Sequence, residues 1–393
     1  MLERVNSPIS TAELERRWAA IRKAMGEHKI DVLLAQGSND FMNGYVKYLT
    51  DFPATNGYPF TVVFPREGLM STVGQGPFGL DAKLNNDPIR RGVGRQFGSP
   101  SYTAVHYTST YDAELALKAL EPFNGATIGL LGTAQLSYAM VDYLKKHLTK
   151  STFVDASNMV DEIKAVKSPE EIALIRKMAA QQDAAAEAVA KALRPGMRDA
   201  DVVEIARAAS TPLGSEQGWY MAASGPVGTA AVMQPPHLQN RVIQPGDQFC
   251  ILIENSGPGG MYGEIGRTFV LGKASQEMKD EFAFVLEAQR FTLDMLKPGA
   301  DPRDIFERYN DFMKKNGRPQ ENRLYAHGQG YDMVERPLIR QDETMKIGKN
   351  MLFAVHPTYV TARTYSWVCD NWLINDQGEV EGLHKYPQQI TEL

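Results

Sequence analysis

The sequence predicts an α/β domain followed by an α+β domain that contains an internal duplication. Three observations lead to this fold class. In the first third of the chain, short apolar runs of strand length alternate with helical patterns. A helix-start signal near residue 167 then opens a second region, and a pattern within that region recurs 103 residues later. The 393 residues are enough for two cores of ordinary size.

The first domain, placed at residues 1–160, is predicted from this alternation. Ser10 caps a helix in which apolar residues recur from Leu14 to Met25 and which Gly26 ends. Strands are expected at residues 31–35, 60–64 and 127–131, and a further helix at residues 112–120. Such an alternation is typical of a sheet covered by helices.

The second domain, placed at residues 161–393, begins with a capped helix and contains the repeat. Ser168, Pro169 and Glu171 stand at the N-cap, first helical and capping-box positions of a long helix. The pattern Leu-(Arg or Lys)-Pro-Gly, with an Asp and an aliphatic residue following, spans residues 193–202 and again residues 296–305. Each copy ends one helix and begins the next, so we expect two similar halves with a site at the seam between them.

Charge and cysteine content exclude several classes of protein. Lys and Arg number 42 against 47 Asp and Glu, a formal charge of -5, which is too balanced for a dedicated nucleic-acid or membrane-surface binder. The two cysteines, Cys250 and Cys369, cannot build a disulfide framework or a four-cysteine zinc site. The N-terminus lacks a signal-peptide pattern, and no run of 18 apolar residues occurs. We therefore expect a cytoplasmic protein with no nucleic-acid or membrane partner.

Five side chains of the second domain form a candidate metal-binding set. Glu254 ends an apolar strand, and Glu264 lies on the strand that returns from the following turn. His327 stands among glycines, while His356 and Asp370 end two further apolar strands. Taken singly, each has an ordinary structural explanation. Together, two imidazoles and three carboxylates suit zinc, manganese or iron.

These residues resemble the pita-bread family, which includes methionine aminopeptidase, prolidase, aminopeptidase P and the metal-free creatinase. The resemblance is carried by Lys-Ser-Pro-Glu-Glu at residues 167–171, Arg-Val-Ile-Gln-Pro-Gly-Asp at 241–247, Gly-Arg-Thr-Phe at 266–269 and His327 in Ala-His-Gly-Gln-Gly. It covers nearly the whole chain. It implies a creatinase-like N-terminal α/β domain, a pita-bread C-terminal domain with a pseudo-twofold duplication, and a homodimer.

The resemblance also assigns the metal ligands, with departures. The peptidases hold two metals with Asp, Asp, His, Glu and Glu, and the matching positions here are Glu254, Glu264, His327, His356 and Asp370. Glu254 matches only if one residue is deleted from the loop, and otherwise Ile253 takes its place. An altered carboxylate length displaces a donor oxygen by roughly 1.5 Å, and a neutral histidine removes a negative charge. The set therefore indicates at most one divalent ion (zinc, manganese or iron), and a metal-free mechanism stays open.

The resemblance points to three catalytic candidates. The first candidate is His237. In the family a histidine in this stretch faces the substrate, and in creatinase it transfers protons, which an imidazole can do at neutral pH. In a metal-free mechanism, Glu264 or Glu254 would hold a substrate cation or form a transient covalent link. Seven residues after the glycine-flanked histidine, the peptidases tend to carry a second one, whereas here Val334 and then Glu335 follow, so Glu335 is the third candidate.

The function expected from these residues is hydrolysis of a C–N bond of amide, amidine or guanidino type in a small molecule, as in creatinase-like relatives. Three alternatives stay open: a lyase acting on a small carboxylate, similar to the dimethylsulfoniopropionate-cleaving relative; a metal-dependent Xaa-Pro peptidase; and a non-catalytic binding module. Arg336 and Arg340 could hold a substrate carboxylate or lie solvated at the surface.

Overall fold

The chain divides into two units slightly later than the sequence predicts. A computed structural model, in which residues 7–42 and 44–393 are described, separates Met1–Lys164 from Ala165–Leu393, so the boundary predicted at residue 160 was too early. The reason is a helix, Ser157–Ala165, that continues through the segment where the apolar pattern loosens. The Tyr45 hydroxyl donates to Asp161 at 2.8 Å and ties this helix to the first unit.

The first unit is a mixed sheet with helices. Its helices within the described residues are α1 Thr11–Glu27, α2 Tyr45–Thr50, α3 Tyr111–Leu120, α4 Tyr138–His147 and α5 Ser157–Ala165. Its strands there are β1 Val32–Gly37, β2 Phe60–Pro65, β3 Met70–Gln75, β4 Asp81–Lys83, β5 Val93–Ser99, β6 Thr127–Leu131 and β7 Thr152–Asp155. The strand order is β4-β5-β3-β2-β1-β6-β7.

This arrangement confirms the predicted elements of the first domain. The Ser10 side chain accepts from the Glu13 backbone N–H, as an N-cap should. β1, an interior strand of the sheet, is buried along its whole length and pairs antiparallel with β2 but parallel with β6. Burial on both faces explains why this strand is a continuous apolar run in the sequence rather than an alternating one.

The second unit contains, within the described residues, two helix pairs, two larger sheets and a two-stranded sheet of β14 and β15. Its helices, over the described residues, are α6 Pro169–Ala192, α7 Asp199–Ser210, α8 Gln276–Leu293 and α9 Pro302–Lys315. Its strands there are β8 Gly218–Pro226, β9 Asp247–Ser256, β10 Tyr262–Val270, β11 Ala326–Gly328, β12 Glu335–Leu338, β13 Leu352–Val355, β14 Thr358–Val360, β15 Tyr365–Trp367, β16 Asp370–Ile374, β17 Val380–Gly382 and β18 Ile390–Glu392. The larger sheets run β18-β10-β9-β8 and β12-β11-β13-β16-β17.

The internal duplication is visible at the two repeated turns. Gly196 and Gly299 have positive φ angles of 91° and 89°, which an L side chain rarely adopts. The N–H of Gly196 donates to Ile243 O at 2.9 Å, and the N–H of Gly299 donates to Ile347 O at 2.8 Å. In each half a helix pair therefore ends its first helix in the same turn, held by the same type of contact to a later segment of that half.

Each helix pair covers one face of one of the two larger sheets. Side chains of α6 and α7 form a core with the face of β9 that carries Phe249, Ile251 and Ile253. Side chains of α8 and α9 form another core with β11 and β13. The opposite face of β9, which carries Cys250, Leu252 and Glu254, is left for the candidate site, as the period of two predicts.

Among the described residues, no helix has the length and hydropathy to cross a membrane.

Candidate metal and hydrolase site

The β9–β10 hairpin places the two glutamates opposite each other. Its register pairs Glu254 with Glu264 and Ile253 with Ile265. Glu254 is therefore the residue that faces the second carboxylate, and Ile253 lies in the apolar core on the other face of the sheet. The alternative that put Ile253 at this position is thus excluded by the strand register. Both carboxylates are buried.

Two histidines from the second half of the unit reach Glu264. His327 lies on β11, and its Nε2 is 3.4 Å from Glu264 Oε1. His356 directly follows β13, and its Nε2 is 3.7 Å from the same oxygen. One ligand atom from each of the three side chains lies within 4.8 Å of the others. The predicted convergence of Glu264, His327 and His356 at the seam between the halves is therefore present in the structure.

The hydrogen bonds of this group leave its metal-binding atoms available. His327 Nδ1 lies 2.9 Å from the carbonyl oxygen of Gly328, so that nitrogen carries the proton and Nε2 keeps its lone pair. Glu264 Oε1 is buried and accepts no hydrogen bond from any residue that the structure describes. A buried carboxylate oxygen without a donor is costly, and a cation at this point would satisfy it. Two imidazole nitrogens and one carboxylate fit a single zinc, manganese or ferrous ion.

Burial and neighbouring charges shift the pKa values in ways that suit one ion. Burial lowers the pKa of His356 to about 4, so its imidazole is neutral at pH 7. Burial alone would raise the pKa of Glu264, but His356 and His327 outweigh it and hold that pKa below its usual value. Burial, together with the charge of Glu264, raises the pKa of Glu254 well above its usual value. The pKa values of the two carboxylates of the hairpin are thus shifted in opposite directions, and Glu264 is the one whose ionised form is favoured.

Asp370 is not a member of the group, which corrects the sequence prediction. Its carboxylate accepts from the Arg267 guanidinium at 2.7 and 3.3 Å and from the Gln388 amide at 2.7 Å. Its chain neighbour Cys369 lies against Glu264, with Sγ 3.9 Å from the Glu264 carbonyl oxygen. Successive side chains of an extended segment point to opposite sides, so only one of the two neighbours can face the site. Arg267 is buried and requires an anion, which Asp370 supplies; because the two residues lie 103 positions apart, no local sequence signal indicated this pairing.

Glu335 is also placed elsewhere, which corrects its assignment as a catalytic residue. One carboxylate oxygen accepts from Lys167 Nζ at 2.7 Å, and the other accepts from the backbone N–H groups of Tyr331 and Asp332 at 2.8 and 3.2 Å. This buried ion pair anchors the segment that follows β11. Glu335 therefore stabilises the fold beside the histidine strand.

His237 lies in an exposed 3-10 turn, Pro236–Leu238. The turn is held against β8, because the Gln239 amide donates to Tyr220 O at 3.0 Å and to Gln234 O at 2.8 Å. Its role in proton transfer stays a prediction. Glu254 likewise stands beside the metal-binding group without belonging to it, with Gln329 Nε2 at 3.5 Å from its Oε1.

Comparisons with known proteins agree with this arrangement. The model of the Creatinase/Prolidase N-terminal domain matches residues 17–166, and that of metallopeptidase family M24 matches residues 173–381. The chain belongs to metallopeptidase family M24. Its architecture is the creatinase-type N-terminal domain followed by the pita-bread domain of that family, as predicted, and the chain is a hydrolase of the family.

Similar proteins are found both by sequence and by structure. An uncharacterized hydrolase/peptidase, y4tL, of Sinorhizobium fredii is 27% identical over 96% of each chain. The Xaa-Pro dipeptidase of Pyrococcus furiosus is 25% identical over 65% of this chain and 73% of its own. A crystal structure of prolidase from Thermococcus sibiricus superposes with a TM-score of 0.79 at 18% identity, covering 98% of this chain and 100% of the other. The shared fold extends over the full length, whereas the metal ligands of this chain depart from the set that the resemblance implies.

Proposed function

We propose that the protein hydrolyses the amide C–N bond of small substrates of the Xaa-Pro dipeptide class with the aid of one divalent ion. The observation that carries this proposal is the convergence of Glu264, His327 and His356, with their ligand atoms within 4.8 Å of one another. The dipeptidase names of the M24 relatives support the substrate class. They favour the peptidase alternative over the non-peptidase hydrolase that the sequence led us to prefer.

Each side chain of the site would have a separate role in metal binding or proton transfer. An ion bound by the three ligands would lower the pKa of a water molecule and polarise the scissile carbonyl. Glu264 supplies the one full negative charge, and His327 is held in the required tautomer by the carbonyl of Gly328. Glu254 stands outside the three ligands, so the group carries one carboxylate and is matched to one dication rather than two. His237 is proposed to transfer the proton to the leaving nitrogen.

Metal content and dipeptide hydrolysis, measured together, test this proposal. Protein purified without chelator should contain close to one zinc, manganese or iron ion per chain by elemental analysis. It should hydrolyse Ala-Pro and Gly-Pro, lose that activity on dialysis against a chelator, and regain it when the ion is returned. Two tightly held ions per chain, or a metal-loaded enzyme that cleaves no dipeptide, would contradict the proposal.

The role of His237 is tested separately, because the residue is not a ligand. His237→Ala should lower kcat by about a hundredfold, as expected for the loss of a proton-transfer group, with metal content and thermal stability unchanged. Because the His237 side chain is exposed, its replacement should not destabilise the fold, so a lower kcat would not be caused by unfolding. His237→Ala with a normal kcat would remove the residue from the mechanism.

A second candidate is hydrolysis of a non-peptide C–N bond of amidine or guanidino type. The observation that favours it is the altered ligand set, in which the neutral imidazole of His356 stands at a carboxylate position of the peptidases. Assays of creatine and of a cyclic amidine beside the dipeptides separate the two. Oxygen-18 water tests the lyase alternative in the same samples, because hydrolysis places the label in the product and elimination does not.

The remaining expectations are part of the proposal and await measurement. Because of the family resemblance we expect a homodimer, which sedimentation would show as twice the chain mass. The formal charge of -5 supports a small-molecule substrate rather than a nucleic acid. The cytoplasmic location stays a prediction. The non-catalytic alternative requires that the metal-loaded protein turns over none of the substrates named above.

A further inference from the structure

A buried cysteine, Cys369, lies beside the metal-binding group of Glu264, His327 and His356. Its side chain is fully buried and is not part of a disulfide. Its Sγ is 3.9 Å from the carbonyl oxygen of Glu264, whereas its chain neighbour Asp370 is paired with an arginine on β10. The segment for which the sequence predicts a carboxylate ligand therefore presents a sulfur instead.

The strand register places Cys369 on the same face of the sheet as the two glutamates of the hairpin. Cys369 forms an antiparallel bridge with Gly266, whose N–H donates to Cys369 O at 2.9 Å. Residues directly opposite each other in an antiparallel pair share a face, as do residues two positions apart along a strand. Cys369 therefore shares a face with Gly266 and Glu264. Its packing agrees, because it lies in a core cluster with Leu252, on the face of β9 that carries Glu254.

The carboxylate next to this sulfur lacks a hydrogen-bond donor at one oxygen. The Glu264 side chain is 5% exposed, and its Oε1 accepts no hydrogen bond from the part of the chain that the structure describes. Burial alone would raise the pKa of Glu264, and its interaction with the Cys369 thiol is one of the contacts that lower that pKa. The unpartnered oxygen points to a cation, and the sulfur stands beside the same carboxylate.

The other cysteine of the chain, Cys250, has different neighbours. It belongs to the same core cluster, and its Sγ is 3.5 Å from the hydroxyl of Thr268, its register partner. Four residues separate it from Glu254, which is roughly 13 Å along a strand. Cys250 therefore has the usual role of a buried cysteine, that of a small apolar side chain. It provides a matched control for Cys369.

We propose that the sulfur of Cys369 is a fourth ligand of the ion, beside the three of the metal-binding group, and that the ion is zinc. Thiolates select zinc, whereas carboxylates and water suit manganese. In the structure the thiol is directed to the Glu264 carbonyl, and its sulfur is outside the set of ligand atoms within 4.8 Å of one another. Binding therefore includes a turn about the Cα–Cβ bond between two staggered rotamers. The S–H bond breaks, its proton passes to solvent, and a sulfur–zinc bond forms.

Charge and coordination number agree with a fourth ligand. One carboxylate and one thiolate bring two negative charges, which balance a single dication. Zinc is four-coordinate in most protein sites and expands to five ligands in some catalytic ones, so a water molecule still has a place. This inference rests on the metal binding of the proposed function and deepens it, because it names the ion and one more ligand.

Cobalt substitution tests the sulfur ligand directly. The full chain, freed of metal by a chelator and loaded with cobalt(II), should show the intense near-ultraviolet charge-transfer absorption of a cobalt–thiolate bond. X-ray absorption of the zinc-loaded chain should show one sulfur at about 2.3 Å from the ion. Cys369→Ser should lose both signals, and Cys250→Ser should keep both. Without metal the two variants should have similar thermal stability, because each replaces a buried sulfur in the same core cluster.

Binding of zinc and of manganese tests the choice of ion. Cys369→Ser should weaken zinc binding about a hundredfold, the upper end of the cost of losing a group that supports a metal, and leave manganese binding nearly unchanged. Cys250→Ser should leave both affinities as in wild type. The change in the ratio of the two affinities is diagnostic, since most protein sites prefer zinc to manganese. An equal loss of affinity for both ions would contradict a sulfur ligand.

The outcomes distinguish this inference from the proposed function. If wild type binds cobalt without the charge-transfer absorption, or if Cys369→Ser keeps it, the sulfur ligand is overturned and the one-ion hydrolase proposal stands. The wild-type spectrum decides the question even if Cys369→Ser fails to fold. If wild type binds neither cobalt nor zinc, the proposed function is overturned and this inference with it.

Discussion

At the scale of single residues, the metal-binding group depends on which neighbour in a strand faces the seam. Glu264, His327 and His356 face it, whereas Asp370 is paired with Arg267 and Gln388. Asp370 and Glu254 both lie outside the group, so the expected set of five side chains becomes three. Two of those three are imidazoles, which bring no negative charge to a metal ion, and this is why we expect a single ion.

A pair of substitutions separates the ligand from the structural carboxylate. Glu264→Gln should reduce bound metal to less than a tenth of an ion per chain, because outer-sphere and ligand changes typically cost ten- to hundredfold or more in affinity. Asp370→Asn should keep the metal and lower the free energy of unfolding by about 3 kcal/mol, because it leaves the buried Arg267 without its anion. Elemental analysis and urea denaturation provide the two measurements. Loss of metal from Asp370→Asn with stability unchanged would contradict the assignment.

The sequence predicted correctly the site residues that lie in short recognisable motifs. It assigned wrongly those whose position depends on a partner far away in the chain. His327 among glycines and Glu264 before Gly-Arg-Thr-Phe were predictable from motifs a few residues long. The partner of Asp370 is Arg267, 103 residues away, and that of Glu335 is Lys167, 168 residues away. Local spacing carries no information about such contacts. For the same reason, the approach of Cys369 to Glu264 was not foreseen.

At the scale of elements, the β9–β10 hairpin and β15 pack through a glycine. Gly266 allows the Trp367 ring to lie directly on β10, since a methyl group there would overlap the ring. The predicted alternation of β9 correctly separated its site face from its core face. It could not reveal this close approach, because glycine in a strand also marks bulges and turns.

Gly266→Ala tests this contact. We expect the free energy of unfolding to fall by about 1–3 kcal/mol, the usual cost of overpacking a rigid contact, and the Trp367 fluorescence to change as the ring is displaced. Gly225→Ala on β8 is the matched control, because its nearest neighbour would be Thr229 Oγ1 at 3.4 Å, an ordinary contact. Urea denaturation compares the two. Equal, small effects at both positions would show that the indole does not rest on Gly266.

The turn after β12 depends on an ionised carboxylate and should be sensitive to acid. Burial alone would raise the pKa of Glu343, but Arg336 and the backbone N–H groups of Met345 and Leu338 outweigh it, so the pKa falls below the usual 4.5. A carboxylate whose pKa is lower in the folded chain than in the unfolded chain stabilises the fold fully at pH values above its usual pKa. This stabilisation is lost as the pH falls toward the pKa of the folded chain.

Glu343→Gln should therefore be less stable than wild type at pH 7, by about 1–3 kcal/mol for charge-assisted hydrogen bonds to a buried group. The difference should shrink as the pH falls below about 4.5. Thermal denaturation from pH 3 to pH 7 measures both. Asp342→Asn, which alters the exposed partner of Arg340, should change the stability by less than about 0.5 kcal/mol. A difference that is constant with pH would refute the electrostatic explanation.

At the scale of the whole molecule, the two units have separate cores, and the candidate ligands belong to the second unit alone. The sequence predicted this division because each unit has its own periodicity and the second has its own repeat. It placed the boundary too early because the contact between Tyr45 and Asp161 joins residues 116 positions apart. The duplication was predictable because the same turn chemistry recurs at Gly196 and Gly299.

Removal of the ion should therefore loosen one unit and leave the other unchanged. A ligand at a thousand times its Kd stabilises the fold that binds it by about 4 kcal/mol, and chelation withdraws that contribution. Hydrogen exchange followed by mass spectrometry should show faster exchange in β10, β11 and β13, which carry or precede the ligands, and unchanged exchange in β1 and β6 of the first unit. Glu264→Gln, which lacks the ion, should show no response to chelator. Equal loss of protection in β1 would contradict the confinement of metal binding to the second unit.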